Sequence, residues 1–266
     1  MKKYILVRDN SLYVAGTTLK VNEEKESFNM GLHACESTEN VVHNRKIFAN
    51  DFNIDVNQCV FAKQTHSDHL RKITKDDLGK GVLDYESAID DTDALYTKEK
   101  GICLGVFHAD CVPVLMADPV TELVCAIHAG WQGTVKEITR KTIAYLKEHE
   151  NVNPEHLKVY IGASITQTNF EVGPEVIEKV KNMSFDTSNT YYFNETKNKG
   201  YVDNKELNRL QCIHEGVLMK NITVDRNCTY ANAENFFSYR RNKQCGRHMS
   251  FIMLKENEWE KLILKK

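Results

Sequence analysis

The sequence predicts an α+β fold, a single domain of mixed β-sheets flanked by helices over residues 1–266. Three observations carry that expectation. Short segments dense in β-branched and aromatic residues lie among well-capped helical stretches. The two kinds do not alternate in the strict strand–helix–strand order that a doubly wound parallel sheet needs. No internal repeat, low-complexity tract or Pro/Ser/Gly-rich linker marks a boundary, and the chain has only four prolines. At 266 residues it is long enough to bury a sizeable core.

Taken in order, strands are expected near Tyr4–Val7, Leu12–Thr18, Cys59–Lys63, Ile102–His108, Val112–Ala117, Leu123–His128, Leu157–Ile161 and Met249–Leu254. Asp118-Pro119 reads as the hairpin turn between two of them. A helix over Thr38 to Asp51 puts Val41, Phe48 and Phe52 roughly on one side. Thr134-Val-Lys-Glu137 has the form of a capping box, with Val135, Ile138, Thr142 and Leu146 on one face of the helix that follows. Pro174 suits the first turn of a helix running to about Met183. Asp203-Asn-Lys-Glu206 is a variant helix start, with Gly216 as its stop.

Composition excludes several classes. With 41% hydrophobic and 27% charged residues the chain is too apolar to be disordered. Its net charge of −2, with no long basic block, offers no electrostatic case for nucleic acid. No apolar run approaches the roughly 20 residues of a membrane helix, and Met1 to Asn10 is charged too soon for a signal peptide. A soluble, cytoplasmic protein is therefore expected. The eight cysteines include no CxxC and no zinc-finger spacing, and in a reducing compartment they should remain thiols, most of them small core residues.

The informative residues are His66, Cys111 and His128, each at or just after the end of an expected strand, where rigidly held side chains enter loops. Separations of 45 and 17 residues are too long for a finger and suit a site assembled from distant strands. Two imidazoles and a thiolate are a sound ligand set for Zn²⁺ with water in the fourth position. The same set resembles the equatorial ligands of blue copper, so ligand chemistry alone leaves the metal open. Gly130 and Gly133 would permit close backbone approach beside His128. Asp110, adjoining Cys111, is a candidate acid/base or hydrogen-bond acceptor behind the ligands. His69 and His108 are further imidazoles nearby, and strand geometry makes His108 a pocket wall or core contact.

The flanks of these residues give the chain a resemblance to the YfiH-like, laccase-domain family, described as polyphenol oxidase or purine nucleoside phosphorylase. The matching blocks run nearly end to end: Phe28-Asn-Met-Gly-Leu-His33 with Asn44-Arg45, Gln64-Thr-His66, Asp93-Ala-Leu-Tyr-Thr97, Ala109-Asp-Cys111-Val-Pro113, His128-Ala-Gly-Trp131, Phe170-Glu-Val-Gly173, Leu207-Asn-Arg209, Phe236-Phe-Ser-Tyr-Arg-Arg241 and Gly246-Arg247. The resemblance implies zinc on His66, Cys111 and His128 and a four-layer α/β/β/α arrangement. It also implies phosphorolysis of adenosine, inosine and methylthioadenosine to base and ribose 1-phosphate, with adenosine deamination besides. This chain departs from the pattern at Gln132, where the family commonly has Arg, at His108, and over Ile161 to Thr168.

Residue chemistry weighs these activities differently. None of the ten histidines forms a His-x-His pair, which disfavours a multicopper oxidase, though the site could hold one copper. Cys111, His128 and a carboxylate could form a cysteine-hydrolase set, a reading that metal ligation of the thiolate excludes. A structural zinc site would need a fourth protein ligand, for which His69, His108 and Asp110 are available. Deamination has a route through metal-activated water, although the H-x-E…P-C-x-x-C fingerprint is missing. Phosphorolysis needs anion binding, for which Arg45, Arg240, Arg241 and Arg247 are the candidates nearest the matching blocks. Phe236, Phe237 and Tyr239 could stack on a base. The expectation is thus a zinc-dependent purine nucleoside phosphorylase taking nucleoside and phosphate, with Asp110 as proton carrier and Arg45, Arg240 and Arg247 as anion contacts.

Overall fold

The computed structural model describes residues 2–256; Met1 and residues 257–266, the two ends of the expected 1–266 unit, lie outside the described residues. In chain order the elements are β1 (Tyr4–Asp9), β2 (Tyr13–Thr18), α1 (Thr38–Asp51), β3 (Cys59–Val60), β4 (Leu70–Lys72), β5 (Ala94–Thr97), β6 (Cys103–His108), β7 (Val112–Asp118) and β8 (Leu123–Ala129). There follow α2 (Trp131–Val135), α3 (Ile138–Glu150), β9 (Lys158–Ile161), β10 (Glu171–Val172), α4 (Pro174–Lys181), β11 (Tyr191–Asn194), β12 (Lys199–Val202), α5 (Asn204–His214), β13 (Ile222–Val224) and β14 (His248–Leu254). The fold is α+β, as the sequence predicts.

Two large sheets dominate, one ordered β1-β2-β14-β6-β3 and the other β13-β9-β7-β8-β5-β4. Both are mixed: β3 runs parallel to β6, β4 to β5 and β13 to β9, while the other pairs are antiparallel. The central strands read as continuous apolar runs because both faces of each are covered. Period-two alternation then sorts their side chains. From β7, Val112, Val114 and Met116 pack with Ile138, Ile143 and Leu146 of α3 and Cys212 of α5. Leu115 and Ala117 face the other way, against Leu104 and Val106 of β6 and Ile252 of β14. The far side of β6, at Cys103 and Phe107, joins Phe48 of α1 with Phe28, Phe61 and Phe251. The layers are therefore α1, sheet, sheet, then α3 with α5.

Helix α1 keeps its expected bounds, with Ser37 at its N-cap accepting from the Asn40 amide, and α5 starts on Asp203, which accepts from the Glu206 amide. The expected capping box at Thr134 does not form. Helix α2 begins earlier, at Trp131, and Glu137 adopts a left-handed conformation (φ 63°) from which α3 starts at Ile138. The Glu137 carboxylate accepts from the amide and hydroxyl of Ser184 and pairs with Arg140, so it serves a tertiary contact instead of the helix start. Outside the expected strands lie β4, β5 and β13 of the second large sheet and a small third sheet, β10-β12-β11. Its strands are short and only partly buried, which leaves little hydrophobic signal. Among the described residues no helix is long and apolar enough to cross a membrane, and none of the eight cysteines is disulfide-bonded.

The last residue of α3 ties that helix to the sheet. Glu150 accepts from Lys72 Nζ at 2.7 Å and Tyr96 OH at 2.9 Å, and Lys98 lies at 3.0 Å. Burial alone would push its pKa up, but these donors outweigh it and hold it at about 2. A depressed carboxyl stabilises the fold above its unfolded value, and the contribution is lost as pH falls through the folded value. Glu150→Gln is therefore expected to be less stable than the wild type at neutral pH, with the gap closing between about pH 4.5 and pH 2. Denaturant midpoints of both proteins across that range test this; a gap independent of pH contradicts it.

Candidate functional site

The connection from β6 to β7 carries the chain from one large sheet to the other, and Cys111 stands at that crossing. His128, near the end of β8, is the cross-strand partner of Pro113 on β7, which brings it beside the crossing. His66 lies in the loop after β3 with a left-handed backbone, φ 60°. One ligand atom from each of the three residues lies within 4.8 Å of the others, and Cys111 Sγ is 3.8 Å from His66 Nε2. A common ion at the usual metal–nitrogen and metal–sulfur lengths of about 2.0–2.3 Å is compatible with such spacings after small adjustment. Among the described residues this is the one cluster of its kind.

Asp93, just before β5, organises two of the three ligands. Its carboxylate accepts from His128 Nδ1 at 2.8 Å, which leaves Nε2 of that ring free for the site. It also accepts from the backbone amides of Thr65 (3.1 Å), His66 (3.2 Å) and Ser67 (2.7 Å) and from the Ser67 hydroxyl (2.7 Å). Burial would raise the Asp93 pKa, but His128 and Ser67 outweigh it and bring it down to about 2. Burial likewise opposes ionisation of Cys111 and His128, yet their mutual attraction prevails. The thiol falls to about 6 under the influence of His128 and His66, and the His128 imidazole rises to about 10 beside Cys111 and Asp93. Without an ion the site thus favours a thiolate–imidazolium pair: the thiolate is the form that binds metal, and His128 releases its proton when an ion enters.

Gly130 completes the cradle. A Cβ there would lie 2.4 Å from His66 Cδ2 and 3.2 Å from Cys111 Sγ, so only glycine lets the start of α2 approach the ligands this closely. Gln64 fixes the His66 loop to β6, donating to the Phe107 carbonyl and accepting from the Phe107 amide, each at 2.7 Å. His69, His108 and Asp110 do not join the ligands. His69 pairs with Asp91, His108 hydrogen-bonds Ser250 through Nε2 at 2.8 Å, and Asp110 faces a different loop. The three donors could hold one metal ion, and three protein donors are the number found in catalytic zinc sites.

The trio opens into a cavity of about 500 Å³ whose wall includes Phe107, Trp131, Ile165, Phe170 and Tyr239. That is an ordinary volume for a small-molecule site. Arg240 and Arg247 line it as well. The Arg240 guanidinium stacks over Phe170 at 5.6 Å and donates to the carbonyls of Asn169 and Glu171; that of Arg247 stacks over Tyr239 at 5.5 Å and donates to those of Cys245 and Gly246.

Arg45 is not the anion contact the sequence leads one to expect. It is 2% exposed, and its guanidinium donates to the backbone carbonyls of Met30, Gly81 and Val82 and stacks over Phe61 and Phe107, so it braces the core and does not line the cavity. Arg241 does not line the cavity either; its guanidinium donates to the carbonyls of Thr229, Tyr230 and Phe236. Of the expected aromatic platform only Tyr239 lines the cavity, while Phe236 and Phe237 are core. Gln132 is exposed and does not line it. Asp110 lies on the wall, but its carboxylate accepts from the Thr229 hydroxyl (2.5 Å), the Ser238 hydroxyl (3.0 Å) and the Arg240 amide (2.8 Å). That makes it a tether for the arginine loop; the expected proton carrier would need a freer carboxylate. Asp93 was not singled out as a site residue from sequence, where it reads as an ordinary acid before a strand.

A family described as multi-copper polyphenol oxidoreductase laccase matches residues 17–255. The purine nucleoside phosphorylase YlmD of Bacillus subtilis (strain 168) is 39% identical over 94% of this chain and 91% of its own length. Among solved structures, a Bacillus licheniformis hypothetical protein, YfiH, aligns with TM-score 0.89 at 32% identity, covering 96% of this chain and 100% of its own. YlmD of Geobacillus stearothermophilus aligns with TM-score 0.87 at 31% identity, covering 95% and 100%.

Asp93→Asn replaces an acceptor-only group with an amide whose NH₂ faces donors. It is expected to weaken metal binding about 10- to 100-fold. Gly130→Ala, whose φ of −62° suits alanine, should weaken it through steric contact alone. Competition with a chromogenic chelator measures both, and affinities equal to the wild type's contradict the assignment.

Proposed function

The chain belongs to the family described as multi-copper polyphenol oxidoreductase laccase, and from that premise we propose that it is a zinc-dependent purine nucleoside phosphorylase of the cytoplasm. The observation that carries this reading is a single cavity holding a metal-competent His₂Cys trio, an aromatic wall and two braced guanidinium groups. Curated relatives bearing that activity in their names, among them one of Bacteroides thetaiotaomicron at 34% identity over 86% of this chain, support it. Eight unpaired thiols suit a reducing compartment.

In phosphorolysis a phosphate oxygen bonds to the ribose anomeric carbon as the bond from that carbon to the base breaks, and the base leaves with the electron pair and gains a proton. His66, Cys111 and His128 would hold the ion, which when bound supplies Lewis-acid polarisation at its open position. Asp93 keeps the His128 ring oriented for that task. Arg240 and Arg247, held by stacking and by carbonyls, are poised for a dianion at little ordering cost. Tyr239, Phe170 and Trp131 offer flat apolar surface to a purine. Adenosine, inosine and methylthioadenosine are the proposed substrates, and adenosine deamination at the same centre is a companion activity.

The family description also names an oxidase, and a His₂Cys set also suits copper. Among the described residues the donors form one three-residue cluster, whereas multi-electron oxidase chemistry calls for several copper sites. Phenol oxidation with added copper tests it.

Inosine with phosphate is expected to yield hypoxanthine and ribose 1-phosphate, and omission of phosphate should abolish product. Arg240→Ala is expected to raise KM for phosphate about 10- to 100-fold, the cost of a lost charged hydrogen bond, with a smaller effect on KM for inosine. Phosphate-independent hypoxanthine release, or no turnover by metal-loaded protein, contradicts the proposal.

A further inference from the structure

His33 sits in a one-turn 3₁₀ helix, Leu32–Ala34, between β2 and α1, and it lines the cavity that holds the trio. The backbone that carries it is pinned. Asn29 Oδ1 accepts from the amides of Gly31 and Arg247, and Asn29 Nδ2 donates to the carbonyl of Ala34. A Cβ on Gly31 would come within 2.9 Å of Arg247 Cβ, so this turn lies directly against the Arg247 segment. The His33 ring packs near Phe107 and Tyr85, at centroid separations of 6.0 and 5.9 Å. Neither of its ring nitrogens has a hydrogen-bond partner among the described residues.

Such a ring differs in kind from its neighbours. The other histidines near the cavity are committed: His66 and His128 to the ligand cluster, His108 to Ser250, His248 to Thr18 and the Phe237 amide. The concave, apolar surroundings of His33, with Arg247 and further cationic groups beside it, push its pKa down to about 4. It is therefore neutral at physiological pH, with one nitrogen donating and the other accepting. A neutral imidazole adds nothing to the attraction of a phosphate dianion. It can, however, pair with a hydroxyl or a ring nitrogen, which are the polar groups of a nucleoside.

Building on the phosphorylase reading, we propose that His33 is a substrate-contacting residue that hydrogen-bonds the nucleoside, dividing recognition of the two substrates between itself and the arginines. Its position beside Arg247 would place the nucleoside's polar edge next to the anion contacts, the order in space that attack on the anomeric carbon requires.

The experiment compares wild type, His33→Phe and His33→Gln for inosine kinetics at saturating phosphate and phosphate kinetics at saturating inosine, with metal content and thermal melting measured alongside. Loss of both nitrogens with ring bulk kept should lower kcat/KM for inosine about 10- to 100-fold. KM for phosphate should stay within about twofold, metal content should not change, and Gln, which retains a donor and an acceptor, should recover part of the loss. Unchanged inosine kinetics in His33→Phe, or a loss borne by phosphate, overturns the proposal. Should His33→Phe fail to fold, His33→Gln alone decides: its nucleoside kinetics must fall while those for phosphate hold, and equality with wild type overturns the proposal. If the wild type itself neither binds inosine by calorimetry nor splits it, the phosphorylase reading fails first and takes this one with it; turnover by wild type with an indifferent His33→Phe sinks the His33 proposal alone.

Discussion

One buried carboxylate sets the geometry on which the site rests. Asp93 gathers the Nδ1 of His128, the hydroxyl of Ser67 and the amides of Thr65, His66 and Ser67. In doing so it aligns a loop from one sheet's edge with a strand of the other. Gln64 anchors that loop to β6, but it is Asp93 that ties its left-handed residue to a strand residue 62 positions later. The charge is affordable only because every oxygen is answered by donors, the condition under which burial of an ion is tolerated.

The third ligand depends on a different feature, the crossing of the chain between the two large sheets at Ala109-Asp110-Cys111. Asp110 fastens that crossing to the loop bearing Arg240 through three hydrogen bonds. Cys111 of the trio and the arginine wall of the cavity are thereby built from consecutive residues and one shared loop. The fold supplies two independently braced halves of a cavity, and Gly130 lets them close to ligand distance.

Much of this was legible in the sequence where local chemistry decides the outcome. The central strands announce themselves as apolar runs, and α1 and α5 carry side-chain caps that mark their starts. The trio is legible because two imidazoles and a thiol at strand ends are a coherent donor set. What failed depends on tertiary partners. Thr134 and Glu137 have the residues of a capping box, but Ser184 and Arg140 claim the glutamate. Arg45 looks like any other basic residue in a polar stretch, and only the carbonyls of Met30, Gly81 and Val82 reveal its bracing role. Asp93 and His33 gain their importance from what faces them across the fold, which spacing along the chain does not encode. The strands of the small third sheet were missed because half-buried, short segments show no clear period.

The central claim is that His66, Cys111 and His128 share one ion and leave it an open position. Replacing the native metal with Co²⁺ tests it directly, because the visible spectrum reports both coordination number and sulfur ligation. The account predicts the intense absorption of a four-coordinate ion with a thiolate charge-transfer band, the band vanishing in Cys111→Ser, and a spectrum that shifts when an exogenous anion enters the open position. A weak six-coordinate spectrum without the thiolate band, or a four-coordinate one indifferent to added anions, would contradict it.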